Sequence, residues 1–339
     1  MSVGGILRRM MAGWRPPLPE PGDEIVSLRL LHQDARTRIF FTAARIDSIH
    51  AATASGWQRV LQYMRPDDRI IWTTFWHVDE PYFQNAREFH KQLPVPLENI
   101  WVLGNTEAEV HAAAGAGFRS SWVHNNCWLD EHLFRPIALP KEHRAVMIAQ
   151  AVDYKRPWLA AKVKDLAYVE TERFHLSTPA DTSSLVHAKT FRNLPANDLI
   201  RLINQSHVGL MLSEIEGGSY ASSEYLMCGI PVVSTPSIRG RDLYYDSSNS
   251  LIVDPTEDAI AEGVERMIHT PTDPAAISAR HAQRSNEFRG RFTREVIGTI
   301  FRETGNRTPP ENVIATSLRH KMPDFIPEKQ AVAIIRGQT

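Results

Sequence analysis

Apolar residues fall into short runs separated by stretches of helical spacing, and this alternation continues along most of the chain. Arg38–Ala43 (RIFFTA) is a brief apolar run, and Gly56–Met64 (GWQRVLQYM) has helical spacing. Arg69–Phe75 (RIIWTTF) is rich in β-branched and aromatic residues and predicts a buried strand. Pro81–Gln92 predicts a helix, Asn99–Gly104 a strand, the alanine-rich Thr106–Ala116 a helix and Ser121–His124 a short strand. Pro136–Glu142, with two prolines and charge, reads as a boundary. The alternation then restarts with strand Arg144–Gln150, helix Arg156–Leu166, strand Arg173–Ser177 and helix Asn197–Gln205, with Asn197 as its cap. Strand Val208–Ser213, helix Ser222–Met227, strands Pro231–Thr235 and Leu251–Val253, and helix Thr256–His269 complete the series. The pattern predicts parallel sheets covered by helices. Beyond Thr308-Pro-Pro the periodicity fades, which predicts an irregular tail.

At 339 residues the chain is too long for one ordinary core. The expected division is an N-terminal tail (1–24), a first Rossmann-like lobe (25–137), a second lobe (138–290) and a C-terminal helix and tail (291–339) expected to pack back on the first lobe. Residues 14–22, with four prolines, predict an extended linker. Ligands of open parallel sheets bind beyond the carboxyl ends of the strands, so a cleft between the lobes is the expected site. The 38 basic and 39 acidic residues balance, which gives no electrostatic reason to expect nucleic acid. Cys127 and Cys228 match no metal-ligand spacing, and the 14 histidines are scattered, so no metal ligands are expected. Two reduced thiols and the lack of a sustained apolar run near the start predict a cytoplasmic protein without a secretory signal. Ile6, Leu7, Met10, Met11 and Trp14 beside Arg8 and Arg9 fit two readings: a face lying on the inner surface of a membrane, or a docked helix or frayed tail.

The chemistry concentrates in residues 208–235, VGLMLSEIEGGSYASSEYLMCGIPVVST. A buried strand runs into a loop holding Glu216, Gly217, Gly218, Ser219 and Tyr220, then into a helix. The glycines permit close approach of a ligand, and amides at the helix start can face an anion. Glu216 and Glu224, with seven residues between them, flank the loop and can address two parts of one extended, hydroxyl-rich ligand. The alternative is a helix cap followed by a solvated helical glutamate.

This stretch resembles the donor-binding motif of retaining GT-B glycosyltransferases of the group 1 type: Glu, seven residues, Glu, a small apolar helix, a glycine and a Pro-Val-Val strand. The match is Glu216, Glu224, Cys228-Gly229 and Pro231-Val232-Val233. The resemblance implies Glu216 beside the donor sugar, Glu224 on the ribose hydroxyls of the nucleotide, and amides around Gly218–Tyr220 on the sugar or diphosphate. Lys155 resembles the family's phosphate-binding lysine, which would stabilise the leaving diphosphate. The family's arginine five residues earlier is Gln150 here, with Arg156 as a candidate replacement. Gly240–Pro255 resembles the family's next loop and strand, with Asp242 where the family often has Glu. Asn125–Pro136 resembles the crossing segment: Asp130, Phe134 and Pro136 fit, and the usual Asn-Gly is Asn125-Asn126. His77 resembles a histidine facing the donor sugar, and Gly56 the first glycine-bearing loop, beside phosphate and acceptor.

The resemblance implies a GT-B fold with a shortened N-terminal lobe and an inter-lobe cleft. Such a protein moves a hexosyl unit from a nucleoside diphosphate sugar to a glycan, lipid-linked or small-molecule hydroxyl acceptor, with retention, no metal and no further cofactor, in glycan biosynthesis. Two other readings remain: a GT-B-like binding or assembly subunit without turnover, and a nucleotide-sugar epimerase. Glu214 with Glu216 could form a hydrolytic carboxylate pair, but hydrolysis has no use for Lys155. Trp72, Trp76 and Trp128 are the tryptophans expected nearest the cleft, the rest being core.

Overall fold

The computed structural model describes residues 22–43, 59–74, 80–91, 93–171, 178–192, 194–317 and 321–338. Gly56, Trp76, His77, the predicted strand 173–177 and the N-terminal segment 1–21 lie outside them.

Two sheets carry the fold. The first comprises β2 (Arg29–Gln33), β3 (Arg38–Thr42), β4 (Arg69–Thr73), β5 (Ile100–Gly104) and β6 (Arg119–Trp122), in that spatial order. β2 is antiparallel to β3 and the rest are parallel. Helices α1 (Glu80–His90) and α2 (Glu107–Gly115) belong to this lobe, α2 being capped by the Thr106 hydroxyl on the Glu109 amide. The second sheet comprises β7 (His143–Gln150), β8 (Leu166–Thr171), β9 (Ala188–Arg192), β10 (Ser206–Met211), β11 (Val232–Ser234) and β12 (Ser250–Ile252). Its order, β12-β11-β10-β7-β8-β9, is all parallel and is the Rossmann order. The winding reverses between β7 and β10, so a crevice opens there, beyond their carboxyl ends. The helices of this lobe are α3 (Ala196–Asn204), α4 (Tyr220–Met227) and α5 (Glu257–His269).

Alternating side chains feed different cores, as a strand's period of two requires. Ile39, Phe41 and Ile71 face a core shared with Val146, Tyr225 and Val232 of the second lobe, which joins the lobes. Phe40, Ile70 and Trp72 face the opposite side, and Ala145, Met147 and Leu210 face a third cluster with Ile260 and Val264. Trp72 and Trp128 are therefore core residues rather than cleft residues. Trp72 packs on Tyr82, Phe83 and Phe118, and Trp128 on Phe41 and Phe292.

Several stretches differ from the periodicity, and β2, β8 and β9 fall where no strand is predicted. The predicted helix 156–166 is instead two short 3-10 turns, Asp153–Lys155 and Pro157–Ala160, separated by Arg156 at φ 50°. Pro157 disfavours helical backbone at the residue before it, and Leu159, Ala160 and Val163 reach the core without a helix. The helix predicted to be capped by Asn197 begins at Ala196, with Pro195 at the cap position. The lobe boundary expected at residue 290 falls inside one helical run, formed by α6 (Pro274–Arg291), a π turn (Phe292–Ile297) and α7 (Gly298–Thr304), and the tail expected to be irregular beyond Thr308 carries regular elements. These are α8 (Glu311–Ser317), β13 (Phe325–Pro327) and α9 (Glu328–Arg336). β13 pairs antiparallel with β1 (Ile25–Ser27), and Ala331, Val332 and Ile335 enter the first lobe's outer core. The elements beyond Thr308 are only three to nine residues long, too short to show a period of apolar residues.

Three buried histidines tie this packing to pH. Burial lowers His90 and His281 to about 3 and His124 to about 4, from an ordinary 6.5. The unfolded chain therefore takes up these protons below about pH 6.5 while the fold does not. Stability is full above pH 6.5 and falls by about 1.4 kcal/mol per histidine per pH unit as pH drops toward 4. The urea midpoint should fall steadily from pH 6.5 to 5, and more gently in His90→Phe. A midpoint independent of pH over that range would refute this account.

Candidate active site

The crevice at the β7–β10 switch point holds a cavity of about 590 Å³, within the range of ligand sites. Ile148, Ala149 and Gln150 at the end of β7, Tyr154 and Lys155 just beyond, and Thr171 at the end of β8 form part of its wall. The loop Ile215–Ser219 and the residues Tyr220, Ala221 and Glu224 of α4 form another part, and Lys321 and Phe325 complete it from the C-terminal segment. Seven sequence-predicted residues from the glutamate loop and the Lys155 turn thus meet in one space: Lys155, Glu216, Gly217, Gly218, Ser219, Tyr220 and Glu224. Gln150 joins them, and Arg156 and Glu214 do not line it.

Glu216 is held from several sides. Lys155 Nζ contacts its Oε1, and the Ser213 hydroxyl donates to Oε2 at 2.6 Å. The Glu214 amide donates to the Tyr154 carbonyl at 2.9 Å, so the lysine turn and the glutamate loop are tied together. Beneath them lies Arg241, fully buried, donating to the Ser213 carbonyl at 2.6 Å, to Ser234 Oγ at 2.7 Å and to Asp242 at 2.7 Å. Burial pushes the Glu216 carboxyl up. Lys155, Ser213 and Arg241 outweigh that and hold it below its usual range. Glu216 is therefore ionised at neutral pH and oriented. Sequence reasoning picked out Asp242 but missed Arg241, because a lone arginine after a glycine carries no periodic signal.

Arg156 faces away from the cavity wall. Its guanidinium is fixed on the Leu212 carbonyl at 2.7 Å and Thr235 Oγ1 at 2.9 Å, where it braces the ends of β10 and β11. Glu224 lies four residues beyond Tyr220, on the same face of α4, and pairs with Lys321 Nζ at 2.8 Å. The other half of α4 is structural: Tyr225 packs on Gly209, and its hydroxyl accepts from the Ile148 amide at 2.7 Å. Gly229 ends the helix at φ 74°, where a Cβ would stand 2.4 Å from the Pro274 carbonyl oxygen. Gly229→Ala should therefore unfold this end of the lobe, read as a sharp fall in soluble yield and melting temperature. A variant as stable as the parent would contradict the packing.

The loop is also pinned against the first lobe. Asn126 Nδ2 donates to the Ser219 carbonyl at 2.7 Å and to Ser223 Oγ at 2.8 Å, and the Tyr220 hydroxyl donates to Asn125 Oδ1 at 3.1 Å. The Asn126 amide donates to His124 Nδ1, so the His124 proton is on Nε2, which donates to the Gly240 carbonyl at 3.1 Å. A Cβ on Gly218 would stand 3.0 Å from Asn105 Oδ1 and 3.1 Å from Asn126 Oδ1. The Asn125-Asn126 pair, a departure from the resembled motif, thus supplies cross-lobe hydrogen bonds. Asp130 and Phe134 lie just beyond, with Phe134 fully buried in the shared core. Among the described residues no cluster of His, Cys, Asp or Glu is arranged to hold a metal ion, and no helix is long and apolar enough to cross a membrane.

Two Rossmann-like lobes with the cavity at the second sheet's switch point define the GT-B fold. Residues 171–284 match the family model described as Glycosyl transferases group 1. Two solved structures have the same fold. Against a glycosyltransferase from Rickettsia africae the TM-score is 0.52 at 13% identity, over 80% of this chain and 77% of that one. Against sucrose-phosphate synthase from Thermosynechococcus elongatus it is 0.50 at 16% identity, over 82% of this chain and 74% of that one. No curated protein matches the sequence.

Proposed function

We propose that this protein is a glycosyltransferase that moves a hexosyl unit from a nucleoside diphosphate sugar to a hydroxyl acceptor, with retention. The observation that carries this reading is that Glu216 and Glu224 open into one cavity, each beside a lysine. A nucleotide sugar alternates hydroxyl-rich and anionic parts: sugar, diphosphate, ribose. Carboxylates accept from the hydroxyls, and ammonium groups meet the phosphates. The match of residues 171–284 to a glycosyltransferase family model supports the same reading.

Glu224 takes the ribose hydroxyls, Glu216 the donor sugar, and Lys155 the phosphate next to the sugar. The acceptor oxygen forms its bond to the anomeric carbon on the face from which the diphosphate departs. The bond from that carbon to the phosphate oxygen breaks, and the acceptor proton passes to a phosphate oxygen of the leaving group. Lys155 and the amides around Gly218–Tyr220 meet the negative charge as it develops, and no metal ion or further cofactor is required of the protein. The cross-lobe bonds of Asn125 and Asn126 keep the loop closed over the donor and limit its hydrolysis.

The test is a panel of nucleoside diphosphate sugars, each titrated by calorimetry and then assayed for release of the nucleoside diphosphate. Binding of one donor, with release that depends on an added hydroxyl acceptor, is expected. Binding without release would favour an assembly subunit. No binding across the panel would overturn the proposal.

A further inference from the structure

Lys321 comes from the C-terminal segment, yet its ammonium lies in the cavity of the second lobe. The first lobe sets its position. Arg29 donates to the Met322 carbonyl at 3.1 Å and also holds the Ser317 carbonyl, and the Ser317 hydroxyl donates to the Leu31 carbonyl at 3.0 Å. The Lys321 amide donates to the Trp128 carbonyl at 3.1 Å. Lys321 itself sits at φ 63°, the left-handed region that a side chain makes costly. Its Nζ reaches Glu224 at 2.8 Å and stands 5.1 Å from the Tyr220 ring centroid.

The two partners are unequally placed. The Lys321 side chain is 41% exposed and that of Glu224 is 2% exposed. Lys321 lines the cavity together with Glu224, so a group bound there can share its ammonium. Among the described residues that line the cavity, the cations are Lys155 and Lys321, one beside each glutamate. Position 150, at the end of β7, is an uncharged glutamine.

We infer that Lys321 is the second cation for the diphosphate of the nucleotide sugar, binding it on the ribose side while Lys155 binds it on the sugar side. This rests on the nucleotide-sugar reading above. Before ligand arrives, the two lysine–glutamate pairs neutralise each other's charge. When it arrives, phosphate oxygens share the ammonium groups and ligand hydroxyls donate to the carboxylates, so each charged side chain keeps a hydrogen-bonding partner. The C-terminal segment is thereby part of the donor site and couples donor binding to the first lobe.

Calorimetry with UDP, ADP and GDP on the full chain tests this, comparing the parent with Lys321→Met and Lys321→Arg over a series of salt concentrations. For whichever diphosphate the parent binds, Lys321→Met should weaken affinity by about 10–100-fold, the loss of one charged contact. It should also flatten the salt dependence, and Lys321→Arg should retain most of both. A merely structural role, as the counter-charge of Glu224, would leave the salt dependence unchanged in Lys321→Met, and that result would overturn the inference. Equal affinity in Lys321→Met would overturn it while leaving the nucleotide-sugar reading intact. If the parent binds none of the three diphosphates, both fall together.

Discussion

Lys155→Met is expected to lower the rate of glycosyl transfer by about 10²–10³-fold, the usual cost of removing one group that meets developing charge in a dry site. Lys155 acts at two points. In the proposed reaction it faces the phosphate from which the sugar departs, and in the structure it holds the Glu216 carboxylate together with Ser213 and Arg241. The loss should therefore fall mainly on kcat, with a smaller change in KM. The pH profile provides an independent reading. Lys155 helps hold the Glu216 carboxyl below its ordinary range, so removing it lets that carboxyl protonate at higher pH. Activity that needs ionised Glu216 is present above its pKa and lost as pH falls through it, so the acid limb of the profile should move up. Turnover unchanged in Lys155→Met, with an unmoved acid limb, would remove Lys155 from the mechanism.

Asp68→Ala is expected to destabilise the fold strongly although it is remote from the cavity. Arg38 and Asp68 form a buried bidentate pair, with Nε to Oδ1 at 2.7 Å and Nη2 to Oδ2 at 2.6 Å. The remaining arginine nitrogen donates to the Ile335 carbonyl at 2.5 Å, which fastens α9 to the first sheet. Removing the carboxylate leaves a buried guanidinium without its counter-charge, at a cost of about 3–5 kcal/mol. Urea unfolding should show this loss, and limited proteolysis should release the C-terminal segment early. Replacing both partners by apolar residues, as Arg38→Met with Asp68→Leu, should cost much less, because no unpaired charge remains. A single mutant no less stable than the double mutant would show that the pair is not what fastens α9. Because that segment also carries Lys321, Asp68→Ala should weaken donor binding without touching the cavity.

The wall of the cavity formed by the glutamate loop was legible because its residues are local in sequence. Glu216, Gly217, Gly218, Ser219, Tyr220 and Glu224 lie on one strand–loop–helix passage, and Lys155 comes just after the adjacent strand. Arg156 was legible as a cation but not in its role, because only the packing shows its guanidinium spent on the Leu212 carbonyl and Thr235. Arg241 and Lys321 were not legible at all. One is an arginine made important by burial, and the other reaches the cavity through contacts nearly two hundred residues away in sequence, with Trp128.

By itself the sequence determined the alternation of strands and helices, the division into two lobes and the Glu216–Glu224 passage, because these depend on near neighbours and on the period of apolar residues. The tertiary structure decided the order of strands in the second sheet, and with it where the cavity opens. It also turned the tail, which periodicity leaves irregular, into the wall that brings Lys321 to Glu224. Strand order and long-range salt bridges depend on residues far apart in the chain, and no local pattern of side chains records them.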